Sequence, residues 1–299
     1  VAVAILRRIF SLIFTIWLAA SLAFFALRLL PGDAITTQFA QTGTPEGVIA
    51  ARRAELGLDV PVHVQYQQYL FGLMRGDLGQ SLYGGQTVNE MLAQRLGTTL
   101  KLAGLSMCLA VVLGLALGIL AGLRSSLVSK SAALCIDLAI SVPVYWTGTL
   151  ALFIIAARIG GIQRGIFLPV FVLGYHTAGA IARVIQVNLM RTYDLPFVLT
   201  ARSKGLSGQY ILWKHILKLS LLPALTVTAL QAGFLLSGTV ITETIFQRPG
   251  LGLLLRDATL QRTHPVVQGI VIVSAVAYLA ANTLADFLTT LLDPRVTLA

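Results

Sequence analysis

Six long apolar stretches divide the chain: Ile9 to Leu30, Thr98 to Leu123, Ala132 to Ala157, Phe167 to Met190, Ser220 to Thr242 and Val266 to Leu292. Each exceeds the roughly 18 residues at which an apolar run reads as a bilayer-spanning helix. Hydrocarbon offers no water to backbone N–H and C=O groups, so runs this long and uniform must be helices rather than barrel strands. The pattern predicts an all-α polytopic membrane protein with six transmembrane helices. Between the spans the polar segments are unequal. Pro31 to Gly97 is long enough for a module with helices of its own, whereas Arg158 to Gly165 and Glu243 to Pro265 are shorter. On the opposite side only Arg191 to Leu219 is long. The expected division is a first segment and span (1–30), an outer module (31–97) and a five-helix core (98–299) that carries the loop 191–219.

Composition agrees and adds an orientation. Hydrophobic residues make up 56% of the 299 and charged residues 11%, against about 45–50% and about 25% in soluble domains. Arg7 and Arg8 before the first stretch also suit a secretory signal. Its apolar region is about twice the usual length and lacks a small-residue cleavage site, so a retained span is expected. An even number of spans places both termini on one side. The segments there, Val1 to Arg8, Arg124 to Ser131, Arg191 to Leu219 and Asp293 to Ala299, carry a net +8, against +1 for the opposite segments. Excess Lys and Arg marks the cytoplasmic face, so both termini and the 191–219 loop are expected to be cytoplasmic. The overall charge of +10 is then a topology signal. Its basic residues form no single stripe or aromatic platform, which argues against a nucleic-acid partner.

The inner loop has a local logic. Asp194 suits a helix N-cap, with Pro196 in the first turn. A short helix through Phe197, Val198, Ala201 and Lys204 would stop at Gly205, a residue suited to the left-handed conformation. Ser207 would cap a second helix through Tyr210, Ile211, Trp213 and Leu217. On these grounds alone the segment fits an interfacial element that binds anionic membrane lipid as well as it fits a partner-docking element.

The residues Leu199-Thr200-Ala201-Arg202-Ser203-Lys204-Gly205-Leu206 resemble the cytoplasmic signature loop of permeases in ATP-binding-cassette (ABC) importers. The form T-A-R-x-K-G-L is that of the dipeptide, oligopeptide and nickel branch. Other words of that branch follow in order: Leu30-Pro31-Gly32-Asp33, Leu56-Gly57-Leu58-Asp59, Gly76-Asp77-Leu78-Gly79, Glu243-Thr244-Ile245-Phe246, Pro249-Gly250-Leu251-Gly252, Pro265-Val266-Val267-Gln268-Gly269 and Leu292-Asp293-Pro294-Arg295. The resemblance covers nearly the whole chain; the outer loop Arg158 to Gly165 is shorter than is usual in the branch. It implies a type I importer permease fold in the bacterial inner membrane, pairing as a heterodimer with a second homologous permease subunit around a path for peptides or similar small solutes. Relatives with similar motifs carry dipeptides, oligopeptides, glutathione, opine-like compounds and nickel chelates. It also implies two cytoplasmic ATP-binding subunits docked on Leu199 through Leu206, and an extracytoplasmic solute-binding protein. ATP and Mg would be used by those partner subunits, with no cofactor bound by this chain.

Other chemistry is scarce. No G-x4-G-K-[ST] phosphate loop, H-E-x-x-H, C-x-x-C or G-x-S-x-G occurs, so neither ATP hydrolysis nor metalloprotease or serine hydrolase activity is expected of this chain. Cys108 and Cys135 fall inside spans and read as small buried hydrophobes. Asp137, His176, Arg183 and Asp286 are the ionisable groups inside spans that invite a role in a solute path. Asp137 and Asp286 also suit structural pairing, Arg183 suits snorkelling to an interface, and His176 lies nearest mid-span. Gly114, Gly118 and Gly122 are spaced for close helix contact, within the chain or with a partner. A secondary transporter or channel would instead show matching halves with broken helices, and no such repeat is visible.

Overall fold

The computed structural model describes residues 2–29, 46–55, 59–81, 85–123, 127–159 and 165–292. The words Leu30-Pro31-Gly32-Asp33 and Asp293-Pro294-Arg295, residues 56–58, and most of the short outer loop lie outside them. Among the described residues the regular elements are helices. They run α1 (Ala2–Leu29), α2 (Glu46–Glu55), α3 (Val62–Met74), α4 (Val88–Gly122), α5 (Leu127–Ser141), α6 (Val144–Ile159), α7 (Phe167–Tyr193), α8 (Pro196–Ser203), α9 (Gly208–Ile211), α10 (Leu217–Ile245), α11 (Leu251–Leu260) and α12 (His264–Leu292). A π-helical turn, Leu212–Ile216, joins α9 to α10.

Among the described residues, five stretches are long and apolar enough to cross a membrane: Leu6–Leu29, Val88–Gly122, Phe167–Tyr193, Gly208–Leu235 and His264–Leu284. The expected third span, Ala132 to Ala157, is not one straight helix. It is the pair α5 and α6, bent by 105° at a break, so the spans number six when the pair counts as one. The cause is Pro143, which has no N–H for the helical ladder and whose ring collides with the preceding turn. The ladder holds up to Val142 N–H donating to Leu138 O at 3.1 Å, and α6 starts afresh with Trp146 N–H on Pro143 O at 3.0 Å.

The chain forms two compact units, Val1–Thr99 with Pro249–Ala277, and Leu100–Arg248 with Tyr278–Ala299. The first has a core of Val88, Leu92, Leu251, Leu254, Ala258, Val266, Val267 and Ile270. Several of the sequence words are its joints. In Gly76-Asp77-Leu78-Gly79, both glycines take positive φ (75° and 90°), and Asp77 Oδ1 accepts from Gly79 N at 2.9 Å. Asn89 clamps the turn, donating to Gly76 O at 2.6 Å and accepting from Leu78 N at 3.0 Å. Thr87 and Glu90 form a reciprocal capping box at the start of α4, at 3.2 and 3.1 Å. Gly250 is the N-cap of α11, whose Leu251 N–H donates to buried Thr99 Oγ1 at 2.8 Å. Helix α3 joins α1 through Phe24, Phe25, Tyr66 and Tyr69. Arg28 lies 3.4 Å over the Phe24 ring and donates to Gln65 Oε1 at 2.6 Å. Burial pushes the Tyr69 phenol up to about 12.

The second unit is built around α7, the most enclosed of the five spans, with 56% of its apolar window buried against 17–28% for the others. Small residues explain this. A Cβ added at Gly114, Gly118 or Gly122 of α4 would come within 2.9, 2.7 and 2.7 Å of Ile181, Ile185 and Leu189 of α7, respectively. The glycine stripe is thus spent on contact within the chain. On the facing side, Gly179 packs against Ala139 of α5, where a Cβ would stand 2.8 Å away. Leu173 of α7 closes the layer with Leu102 and Leu235.

Candidate functional site

Helix α7 runs, with one short turn, into the loop that the sequence marks. Asp194 does not cap the loop helix as expected. It terminates α7, and Leu195, with extended backbone (φ −74°, ψ 144°), takes the N-cap position ahead of Pro196. An X-Pro junction drives the preceding residue into this extended region. Helix α8 ends as predicted. Gly205 has φ +76°, its N–H bonds Arg202 O at 2.9 Å, and Leu206 N–H reaches back to Ala201 O at 3.3 Å. This pair of bonds is the Schellman closure, which requires a left-handed residue at Gly205. Ser207 then caps α9, its Oγ accepting from Tyr210 N at 3.3 Å. The return helix continues through the π-helical turn into α10.

Packing divides the signature residues into two groups. Val198 and Ala201, three residues apart on one face, join Leu189, Ile211, Ile216 and Leu217 in a buried cluster. Ala201 is 9% exposed and therefore supports the loop from within. Thr200, Arg202, Ser203, Lys204, Gly205 and Leu206 are exposed, as is Leu199 at 69%. The result is a short, rigidly closed helix and turn whose outward surface sets Phe197, Leu199 and Leu206 among polar and basic groups.

The intramembrane candidates do not share one role. Arg183 pairs with Asp137 of α5 instead of reaching an interface, and its Nη1 donates to Gln186 Oε1 at 3.0 Å. His176 is fully engaged: Nδ1 meets Ala139 O at 2.8 Å and Nε2 meets Thr147 Oγ1 at 2.9 Å. A carbonyl can only accept, so Nδ1 carries the proton and donates to Ala139 O. The carbonyl of Ala139 is the one whose helical donor would have been the N–H of residue 143. Because that residue is proline, His176 supplies the missing donor and ties both legs of the bent pair to α7. Tyr175 adds a bond from its hydroxyl to Cys135 O at 2.7 Å. Asp286 lies on α12, its side chain outside the described residues. Cys108 is exposed on the surface of α4, not buried, and both cysteines are free.

Sequence reasoning missed Glu243. The sequence pattern places this residue in an outer loop, but it sits on the last turn of α10 and is 0% exposed. A carboxylate just past an apolar run carries no mark of burial in its own sequence. The His176 clamp could have been found, since Pro143 within the run orphans a carbonyl four residues back.

This clamp makes a prediction. His176→Phe leaves the Ala139 carbonyl without a donor inside the membrane, a loss of about 1–3 kcal/mol. Pro143→Ala restores an N–H to that carbonyl, so the same His176→Phe change should cost less in the Pro143→Ala background. Thermal unfolding of the four purified proteins reads the coupling; strictly additive losses would contradict the bond pattern.

The fold is shared with known importers. The inward-facing MetNI methionine ABC transporter matches with a TM-score of 0.57 at 16% identity, over 68% of this chain and 96% of that one. An amino acid ABC transporter solved with histidines gives 0.55 at 17%, over 70% and 95%. The apolar helices of the second unit packed on α7, with an exposed loop helix at its end, thus have the fold of ABC importer permeases. Residues 114–298 match the family described as binding-protein-dependent transport system inner membrane component, and residues 2–103 its N-terminal companion. The chain belongs to this family and is a multi-pass inner-membrane protein. Among its relatives, a peptide transport system permease protein of Brucella abortus (strain 2308) is 34% identical over 98% of each chain. A glutathione transport system permease protein of Salmonella typhi is 33% identical, also over 98% of each.

Proposed function

We propose that this protein is one of two permease subunits of an ATP-driven, binding-protein-dependent importer for peptides or peptide-like solutes such as glutathione. The observation that carries the reading is full-length similarity to permeases of peptide and glutathione systems, joined to a signature helix whose exposed face is free to dock. In this reading α8 and its Schellman turn seat in two cytoplasmic ATPases, one under each permease subunit. The ATPases bind ATP and Mg, an extracytoplasmic binding protein delivers solute, and both termini are cytoplasmic. Nucleotide-driven closure of the ATPases moves α8, and α7 carries that motion into the bundle as a rigid-body rocking.

The test is reconstitution. Purified alone, the chain should hydrolyse no ATP. In proteoliposomes with the second permease, the ATPases and the binding protein, ATP hydrolysis should rise with loaded binding protein while labelled dialanine or glutathione accumulates. ATP turnover by the isolated chain, or a complete complex that moves neither solute, would refute the proposal.

A further inference from the structure

The buried face of α5 is Ser129, Ala132, Ile136 and Ala139. Its opposite side presents Lys130, Leu134, Asp137 and Ser141, all exposed. Their spacing of 4, 3 and 4 residues makes one continuous stripe along the helix. Beside it stands Arg183 of α7, ion-paired with Asp137. At 1.5 Å per residue, Arg183 is about 15 Å from the Tyr193 end of its helix and about 24 Å from the Phe167 end. The pair therefore lies deep in the membrane.

Its surroundings are unusual for that depth. The Arg183 side chain is 38% exposed and that of Asp137 54%. Asp137 Oδ2 and Arg183 Nε have no partner among the described residues. Charges left open in a spanning segment face a water-filled cavity or a protein partner, not hydrocarbon. A purely structural pair would be expected to sit in the enclosed α5–α7 seam, as His176 and Tyr175 do. This one stands at the edge of the seam with hydrogen-bonding capacity in reserve.

We infer that the stripe Leu134, Asp137, Ser141 with Arg183 lines the solute path, and that the ion pair is a binding site for a small zwitterion. The carboxylate of Asp137 receives the solute's ammonium group, and the guanidinium of Arg183 its carboxylate. In the empty path the two side chains neutralise one another. A zwitterion replaces that internal pair with two charge-assisted bonds of equal net charge, so it enters without leaving a buried charge uncompensated. An uncharged solute of the same size cannot make this exchange. The assignment of solute class rests on the proposed importer function; that the stripe faces water does not.

Two measurements separate these claims. In the assembled transporter freed of Cys108 and Cys135, single cysteines at Ser141 and Leu134 should react with a membrane-impermeant methanethiosulfonate, and faster than one at Ile140, which is also exposed but points about 100° from Ser141 and about 120° from Leu134 on the same helix. No reaction at Ser141 and Leu134, or disulfide cross-linking there to the second permease, overturns the path assignment whatever the solute. In uptake assays with labelled dialanine, Asp137→Asn and Arg183→Gln should each raise KM about tenfold or more, the loss of one charge-assisted bond, at equal amounts of assembled transporter. Unchanged KM with reduced assembly would show the pair to be structural. If the unaltered transporter moves no dialanine, the zwitterion site falls together with the peptide reading, and the accessibility result alone decides whether the stripe lines the path.

Discussion

Replacing Gly205 by valine is expected to abolish solute uptake while membrane insertion and pairing with the second permease persist. The backbone at Gly205 is left-handed, at φ +76°, and an L-residue there costs about 1–2 kcal/mol, more when β-branched. That energy is too small to unfold the bundle. A Cβ at this position would meet nothing within 4 Å, so the effect is conformational and not a collision. Relieving it means breaking the Leu206 to Ala201 and Gly205 to Arg202 bonds, which set the direction in which α8 ends. In the docking role proposed for α8, an element that points elsewhere no longer seats. Gly205→Asn, which tolerates the left-handed region, should keep most uptake. Ser203→Ala removes only a bond to Leu199 O within the exposed turn and should be mild. Ala201→Asp belongs to a different class, because it buries a charge in the cluster under the loop and should lower the amount of folded protein. Assembly, stimulated ATP hydrolysis and uptake are to be measured separately for each variant. Normal uptake by Gly205→Val would return the loop to a membrane-surface role.

The other large effect is expected at Gly118. A Cβ there stands 2.7 Å from Ile185 Cβ and 2.8 Å from the backbone oxygen of Ala182. The oxygen cannot yield, so α4 and α7 must move apart and open contacts along the stripe that Gly114 and Gly122 share. Gly118→Val should cost at least the roughly 1–3 kcal/mol of an overpacked core, seen as a lower melting temperature and a smaller yield of folded protein in detergent. Gly104→Ala, on the same helix with open space around its Cα, serves as the control and should be neutral or slightly stabilising. An unchanged melting point for Gly118→Val would mean that α4 does not pack on α7 as described.

Much of this organisation was legible in the sequence because its causes are local. Apolar run length fixed the straight spans, and the capacity of Gly205 for positive φ and of Ser207 for capping fixed the loop. What was illegible depends on neighbours distant along the chain. Nothing near Gly118 says whether Ile185 or another subunit fills the space beside it. Nothing near Arg183 names Asp137 as its partner, so a guanidinium read as snorkelling proved to be paired. Asp194 was misassigned because two helices compete for it: proximity to Pro196 suggested a cap, while α7 continued to Tyr193. The reading of Ala132 to Ala157 as one unbroken helix weighed hydropathy over one proline, and the proline bends that span by 105°.

That proline also bears on how the protein is made. The α5–α6 bend leaves the Ala139 carbonyl dependent on a ring nitrogen 37 positions further along the chain. A nascent chain that has delivered α5 and α6 to the bilayer but not yet α7 exposes that carbonyl to lipid, where an unmet polar group costs several kcal/mol. The bent pair is therefore not self-sufficient as an insertion intermediate. Its geometry is completed from outside by a later helix, so the order of synthesis, and not hydropathy alone, governs when this span takes its final shape.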